Sequence, residues 1–370
     1  MITDYDRDML AHAFTLAKKG QYTASPNPCV GCVISDGENM AEGWHRFAGE
    51  NHAEIIALNN AKSQSINLAC ATLYVSLEPC RHHGKTPPCT KAIIDAGIKR
   101  LVYGMQDPNP AVAGRGIEEL SAAGIEVLGP LMPDAAAELN QAFFHKMQQG
   151  KPKIVAKVAM SFDGRTAMAS GESQWITAQS ARQYVQQIRA ASCAILTGIG
   201  TVNADNPQLT VRDERFTVAE KYRQPQRIIV DSKLRIDETA EILNTLPVII
   251  AYCHGDPSKV QRLSERQHHL IKIAENNGQV DLIALVDRLS AFKFNQLMIE
   301  AGPTLLGAML ALNLVDELYS FVAPTLLGSD AMPMAKQSIA LLQNQQRMQL
   351  LSHAMVGQDM LFHFDLKPAK

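Results

Sequence analysis

No stretch of this 370-residue chain approaches the run of about 18 apolar residues that a membrane span requires. Acid and base nearly cancel, 35 Lys and Arg against 37 Asp and Glu, for a net charge of −2. That balance leaves no polyelectrolyte character to hold nucleic acid by counterion release, and 6% aromatic content supplies few rings on which bases could stack. A small-molecule partner is expected instead, with neither nucleic acid nor membrane. The opening Met1-Ile2-Thr3-Asp4-Tyr5-Asp6 lacks the basic start of a signal peptide, so the cytoplasm is the expected compartment. Cysteine is sparse and odd in number, seven in all, which argues against a disulfide scaffold and for reduced thiols, some able to bind metal. Repeats and low-complexity tracts are absent, which excludes a solenoid or a disordered tail.

What is present is an ordinary α/β pattern, 46% hydrophobic and long enough for two domains. Thr3 and Asp4 open an amphipathic helix carrying Leu10, Ala13, Phe14 and Ala17 at helical spacing, and Gly20 closes it. Strands over 29–35 and 40–44 flank the turn Asp36-Gly37-Glu38-Asn39 as a hairpin. Helices from about Ala53, Cys89 and Gly116 then alternate with strands over 71–77, 100–104 and 125–128, and only the first strand pair can be a hairpin, so the sheet should be mixed. Helical sequence over 133–147 runs into the linker Gln148-Gln149-Gly150-Lys151-Pro152, which divides the chain into 1–147 and 148–370. Beyond it, strands over 154–159, 194–196, 227–230, 248–252 and 297–299, and a helix from Pro303, repeat the alternation.

His52-Ala53-Glu54 is followed by Pro79-Cys80 and then by Cys89. One imidazole and two thiols suit a catalytic zinc, because three protein ligands leave the fourth tetrahedral position to water. In such sites the pKa of bound water falls to about 7, which makes hydroxide available near neutrality. His52 and Cys89 both fall where helices begin, and exposed amides there favour a thiolate at Cys89. Glu54, two residues past the histidine, can take a proton from that water and pass it to a ring nitrogen and then to departing ammonia. Cys29-Val30-Gly31-Cys32 imitates a metal motif but lies on a predicted strand, where positions i and i+3 face opposite ways. His82, His83, His268 and His269 read as bland, solvated residues.

The constellation resembles the cytidine-deaminase superfamily, whose signature is His-x-Glu followed by Pro-Cys-x-x-Cys. Here eight residues, not two, separate Cys80 from Cys89. That insert, Arg81-His82-His83-Gly84-Lys85-Thr86-Pro87-Pro88, is similar to the riboflavin-biosynthesis deaminases. So are Pro26-Asn27-Pro28-Cys29-Val30-Gly31 and the stretch Asp107-Pro108-Asn109-Pro110 through Gly114-Arg115-Gly116. The resemblance implies zinc on His52, Cys80 and Cys89, Glu54 as catalytic proton shuttle, Asn27 and His45 lining the base pocket, and Lys85 on the substrate phosphate.

The second half lacks the usual nucleotide fingerprints. Gly198-Ile199-Gly200-Thr201-Val202-Asn203 ends in Asn where a Rossmann motif needs glycine, and Gly302-Pro303-Thr304-Leu305-Leu306-Gly307 is followed by Ala308-Met309 where a P-loop needs Lys-Ser/Thr. The latter still suits an anion, since Pro303 starts a helix whose amides are exposed. Lys157-x-Ala159-x-Ser161-x-Asp163-Gly164-Arg165, Gly171-Glu172-Ser173-Gln174-Trp175-Ile176, Thr201-Val202-x-Ala204-Asp205 and Glu300-Ala301-Gly302-Pro303-Thr304-Leu305 resemble the riboflavin-pathway reductases. This implies a dihydrofolate-reductase-like α/β domain that binds NADPH through Ala159, Trp175, Thr201, Asp205, Ser232, Gly302, Pro303, Thr304, Leu305, Leu306, Gly307 and Ala308. Substrate would be held by Ser173, Arg189, Leu209, Arg212 and Glu300. Arg189 and Arg212 suit a ribose phosphate because guanidinium presents paired donors to oxyanions, and Lys233 or Arg235 suits the cofactor 2′-phosphate by charge.

Both halves together resemble the bifunctional riboflavin-biosynthesis deaminase/reductases: a cytidine-deaminase-like α/β/α domain with a mixed sheet, then the reductase. The resemblance implies hydrolytic loss of a pyrimidine amino group, NADPH-dependent reduction of a ribosyl group to ribityl, and a homo-oligomer. Two other classes share parts of the pattern. A nucleic-acid deaminase would carry a basic face, and an inert zinc scaffold would need neither Glu54 nor an open coordination position.

Overall fold

Thr3 begins the chain's first helix through a reciprocal cap. Its Oγ1 accepts from the Asp6 amide at 3.2 Å while Asp6 Oδ2 accepts from the Thr3 amide at 2.8 Å, satisfying two donors that a helix start leaves orphaned. The computed structural model describes residues 1–81, 87–110 and 112–367. Two units emerge, one of 1–150 together with 217–221, the other of 151–216 and 222–370. The break after Gly150 lies three residues past the limit expected from the linker, because the last helix runs on to Gln149 before Gly150 caps it in a left-handed conformation.

In the first unit, α1 (Asp4–Lys18) leads into β1 (Gly31–Ser35), β2 (Met40–Trp44), α2 (Ala53–Ser63), β3 (Thr72–Val75), α3 (Cys89–Asp95) and β4 (Arg100–Tyr103). It closes with α4 (Arg115–Ala122), β5 (Glu126–Leu128), α5 (Pro133–Leu139) and α6 (Gln141–Gln149). The sheet order is β2-β1-β3-β4-β5, antiparallel at β2/β1 and β1/β3 and parallel beyond. It is the mixed sheet the alternation predicts. Leu10, Phe14, Phe143 and Phe144 from α1 and α6 cover one face, while Leu58, Ile93 and Leu120 from α2, α3 and α4 cover the other. Each such side chain contributes about 1.5–3 kcal/mol by leaving water, and the result is three layers, helix on sheet on helix.

The second unit comprises β6 (Lys153–Ser161), β7 (Arg165–Ala167), α7 (Gln179–Ala191), β8 (Ala194–Gly198), α8 (Ile199–Asp205), β9 (Gln226–Val230) and β10 (Ile249–Tyr252). It continues through α9 (Pro257–Glu265), β11 (His269–Lys272), β12 (Glu275–Asn276), β13 (Gln279–Val280), α10 (Leu282–Ser290) and β14 (Gln296–Ile299). The last elements are α11 (Pro303–Ala311), β15 (Glu317–Ala323), β16 (Met332–Pro333), β17 (Gln349–Val356) and β18 (Asp359–Asp365). Nine strands form one sheet in the order β11-β10-β9-β8-β14-β6-β15-β18-β17. The run from β11 to β15 is parallel and the β18/β17 edge antiparallel. Val185, Val202 and Leu263 from α7, α8 and α9 pack on one face, and Leu285, Leu289 and Leu306 from α10 and α11 on the other. From the adjacent strands β8 and β14 the chain passes into α8 and α11 on opposite faces of the sheet, and the carboxyl ends at such a switch point are the usual ligand position in an open α/β sheet.

Candidate active sites

Three first-unit elements converge on one cage. His52 is the N-cap of α2 with extended backbone, Glu54 lies in that helix's first turn, and Cys89 opens α3. Gly43 of β2 lets α2 sit this close, since a Cβ there would lie 2.2 Å from the carbonyl oxygen of Ala53. Cys80 follows β3, its carbonyl accepting from the Thr90 amide at 3.2 Å. His52 Nδ1 lies 3.3 Å from Cys89 Sγ and 3.5 Å from Cys80 Sγ, and the three donor atoms fall within 4.8 Å of one another.

Those distances also suit a metal cage. A tetrahedral centre with bonds of about 2.1 Å to nitrogen and 2.3 Å to sulfur would space N and S about 3.6 Å apart. The charges agree. A hydrogen bond from Cys89 holds the Cys80 thiol below its usual range, while Cys89 is pushed up by that bond and by burial. Cys80 is the less buried of the two sulfurs. Glu54 is only 3% exposed, and burial followed by the Cys80 charge raises its carboxyl. A divalent cation would neutralise this crowd of sulfurs and carboxylate, so the donor set fits zinc.

His45 and Asn27 stand beside the cage. The His45 ring meets that of His52 edge-on at 5.3 Å. Burial pushes the His45 imidazole down to about 4, so it is neutral at pH 7. Its Nδ1, 3.1 Å from the Asn51 carbonyl oxygen, must donate, which leaves Nε2 to accept from Asn27 Nδ2 at 3.0 Å. That chain fixes which way the Asn27 amide points. Asn140 Oδ1 accepts from the Cys29 amide at 2.7 Å and its Nδ2 donates to the Cys29 carbonyl at 3.2 Å, clamping the same loop two residues away. Asn140 carries no local signal in the sequence, because its partner Cys29 lies 111 positions away. Lys85, His82 and His83 fall outside the described residues. Cys29 and Cys32 are both buried, as packing residues would be.

In the second unit, the Gly302 amide donates to Thr201 Oγ1 at 3.0 Å, tying the loop after β14 to α8. Ser173 Oγ donates to Asp205 Oδ1 at 3.2 Å at the far end of α8. Trp175 is 68% exposed, with the Arg182 guanidinium 4.3 Å above its ring. Ser232, just past β9, accepts from the Val280 amide and donates to Gln279 Oε1. Ala159 lies near the carboxyl end of β6 and is half-buried. Of the run along α11, Gly302, Pro303, Thr304, Leu305 and Ala308 retain exposure, whereas Leu306 is core. Gly307 faces backbone, where a Cβ would meet the Lys336 carbonyl oxygen at 2.3 Å. Lys233, Arg235 and Arg212 are exposed, and Leu209 is buried in a left-handed conformation.

Arg189 and Glu300 meet each other. Arg189 Nε and Nη2 each donate to the carboxylate at 2.9 Å, Nη1 donates to the Thr210 carbonyl at 3.1 Å, and Lys157 Nζ lies 3.2 Å from Glu300 Oε1. Burial pushes the Glu300 carboxyl up, but Arg189 and Lys157 outweigh it and hold the group well below the usual carboxylate range. Lys157 was legible only as part of a motif, and its partner is set by the register of β14 against β6.

Comparison with known proteins agrees with both units. Residues 152–362 match the RibD C-terminal domain, and residues 3–105 match the cytidine and deoxycytidylate deaminase zinc-binding region. The riboflavin biosynthesis protein RibD of Escherichia coli (strain K12) is 47% identical over 339 residues, 88% of this chain and 89% of its own length. That of Haemophilus influenzae is 44% identical over 331 residues, 87% of each. Among solved structures, one form of Acinetobacter baumannii RibD superposes with a TM-score of 0.88 at 41% identity, covering 97% of this chain and 98% of that one. The Thermotoga maritima diaminohydroxyphosphoribosylaminopyrimidine deaminase/5-amino-6-(5-phosphoribosylamino)uracil reductase gives 0.83 at 29% identity with the same coverage. A zinc-type deaminase unit followed by a RibD reductase unit, matched along nearly the whole chain, makes this protein a member of the bifunctional riboflavin-biosynthesis deaminase/reductase family.

Proposed function

We propose that the first unit hydrolyses the 2-amino group of 2,5-diamino-6-(5-phosphoribosylamino)pyrimidin-4(3H)-one. The second unit would then reduce the product, 5-amino-6-(5-phosphoribosylamino)uracil, to its ribityl form with NADPH. The observation that carries the reading is the convergence of His52 Nδ1, Cys80 Sγ and Cys89 Sγ beside the buried Glu54. Zinc bound by these three residues supplies the Lewis acidity that makes water nucleophilic near neutral pH. Glu54, with its raised proton affinity, takes the proton from the attacking water and hands it to a ring nitrogen and then to the departing ammonia. Asn27, oriented through His45, presents its amide to the base, and Lys85 holds the phosphate.

NADPH held in the second unit would supply the hydride for reduction at C1′ of the ribosyl group. The carboxyl ends of β8 and β14 suit the cofactor, with Ala159, Trp175, Thr201, Asp205, Ser232, the residues Gly302–Ala308 of the α11 segment, and Lys233 or Arg235 on the 2′-phosphate. Ser173, Arg189, Leu209, Arg212 and Glu300 make up the substrate side. Lys157, Glu300 and Arg189 together carry a net positive charge, which favours a phosphate and gives Glu300 the task of fixing two cations. The thiols that the cage requires persist in a reducing compartment, hence the cytoplasm. No helix among the described residues is long and apolar enough to cross a membrane. Exposed Leu350, Leu351 and Met355 on the edge strand β17 suit self-association of the chain. Supplying the diaminopyrimidine with NADPH tests the central reading. Ammonia should appear before nicotinamide absorbance falls, and the reverse order would overturn the assignment. Sedimentation of a Leu350→Glu variant tests self-association, with a monomer expected.

A further inference from the structure

Glu78 immediately precedes Pro79-Cys80 and is 3% exposed. A carboxylate so buried is costly unless its oxygens are satisfied, and these are satisfied by backbone. Oε2 accepts from the amides of Asp107 at 3.1 Å and Gly114 at 2.9 Å, and Oε1 from those of Gly116 at 2.9 Å and Ile117 at 3.4 Å. All four amides belong to the stretch that leaves β4 and enters α4, so one side chain gathers both ends of that excursion. Asp107, at its near end, is buried and within electrostatic reach of Glu78 and Cys80. The ligand loop, by contrast, has backbone anchors of its own. The Glu78 amide donates to the Met105 carbonyl at 2.9 Å, and the Thr90 amide to the Cys80 carbonyl at 3.2 Å. Holding Cys80 does not require the carboxylate.

We infer that Glu78 is a positioning residue of the deaminase, which holds Asp107 and residues 114–117 as the wall of the pyrimidine pocket on the Cys80 side. This rests on the zinc-site reading proposed above. A carboxylate suits the task because its two oxygens offer about four lone-pair sites for four amides. A glutamine would turn an NH2 toward two of them, losing two hydrogen bonds. The approach is close: a Cβ on Gly116 would lie 2.2 Å from the Pro79 carbonyl oxygen and 3.1 Å from Glu78 Oε1. Gly116→Ala therefore displaces the same wall without altering charge.

The test uses the full-length chain, whose reductase is an internal control. For Glu78→Gln we expect zinc to remain at wild-type stoichiometry and reduction of the deaminated uracil substrate to stay within twofold. The KM for the diaminopyrimidine should rise tenfold or more, with a smaller fall in kcat. A KM within twofold of wild type with zinc retained overturns the inference, as does loss of zinc, which would make Glu78 a support of the ligand loop. Should that variant not fold, Gly116→Ala decides: a raised KM supports the wall and an unchanged one overturns it. Glu54→Gln assayed in parallel separates the two levels, because deamination surviving there defeats the site reading itself, whatever Glu78 does.

Discussion

Replacing Glu54 by Gln keeps the shape of the side chain and removes its proton chemistry. Because Glu54 serves both proton transfers, from water to ring nitrogen and then to ammonia, the loss should approach the upper end of the range for a general acid–base group, about 10⁴-fold. At about 1.4 kcal/mol per tenfold that adds roughly 5 kcal/mol to the barrier. Zinc should stay, since its three ligands are untouched. Stability gives an independent readout with a definite sign. The folded carboxyl is raised by burial and by the Cys80 charge, so above the unfolded value of about 4.3 its ionised form opposes folding of the metal-free chain. The variant, stripped of zinc by a chelator, should melt at or above the wild-type temperature at pH 7. Ammonia release, elemental zinc and calorimetry together decide the matter. Ammonia release within tenfold of wild type from a zinc-loaded variant would refute the shuttle.

Other outcomes follow from named contacts. Asn140→Ala leaves the Cys29 amide and carbonyl without their partners, which should destabilise the first unit by about 2–5 kcal/mol and raise the deaminase KM, read by denaturant titration followed through ammonia release. Arg189→Leu strands Glu300 with Lys157 alone, and breaking such a buried pair costs about 3–5 kcal/mol. Reductase kcat/KM should fall more than a hundredfold while deamination is unchanged. Asp6 is held well below the usual carboxylate range, chiefly by its hydrogen bonds from Arg100 and against the pull of burial. Its contribution to stability is present above the unfolded value of about 3.9 and is lost as pH falls through and below it. Asp6→Asn should therefore flatten the acid limb of first-unit stability between pH 5 and pH 2, measured by circular dichroism.

The elements that were readable in advance are those with strong local signals. The cap at Thr3, the turn at Asp36-Gly37-Glu38-Asn39 and the linker at Gly150 each act over a few residues, and the structure places α1, the β1/β2 hairpin and the end of α6 there. The strands β15, β18 and β17 went unread. They form the antiparallel side of the sheet, and β17 is exposed along nearly its whole length, with Leu350 and Leu351 adjacent, so no period marks a buried face. His268, read as solvated, is buried with Nδ1 accepting from the Val248 amide at 3.3 Å. The pairing of Arg189 with Glu300 had no signal in the sequence, because the two lie 111 positions apart.

Residue type and spacing alone determined the chemistry on offer: one imidazole, two thiols and an acid, each near the start of a helix or the end of a strand, where side chains can reach a common point. Only the folded chain decided which groups meet. The convergence of His52, Cys80 and Cys89, the tautomer of His45, the clamp from Asn140, the four amides on Glu78 and the pairing of Arg189 with Glu300 join residues up to 111 positions apart. Such contacts follow from strand register and helix docking, and the energies that select them are the desolvation of buried charge and the need of every buried polar atom for a partner, neither of which exists until the core has closed.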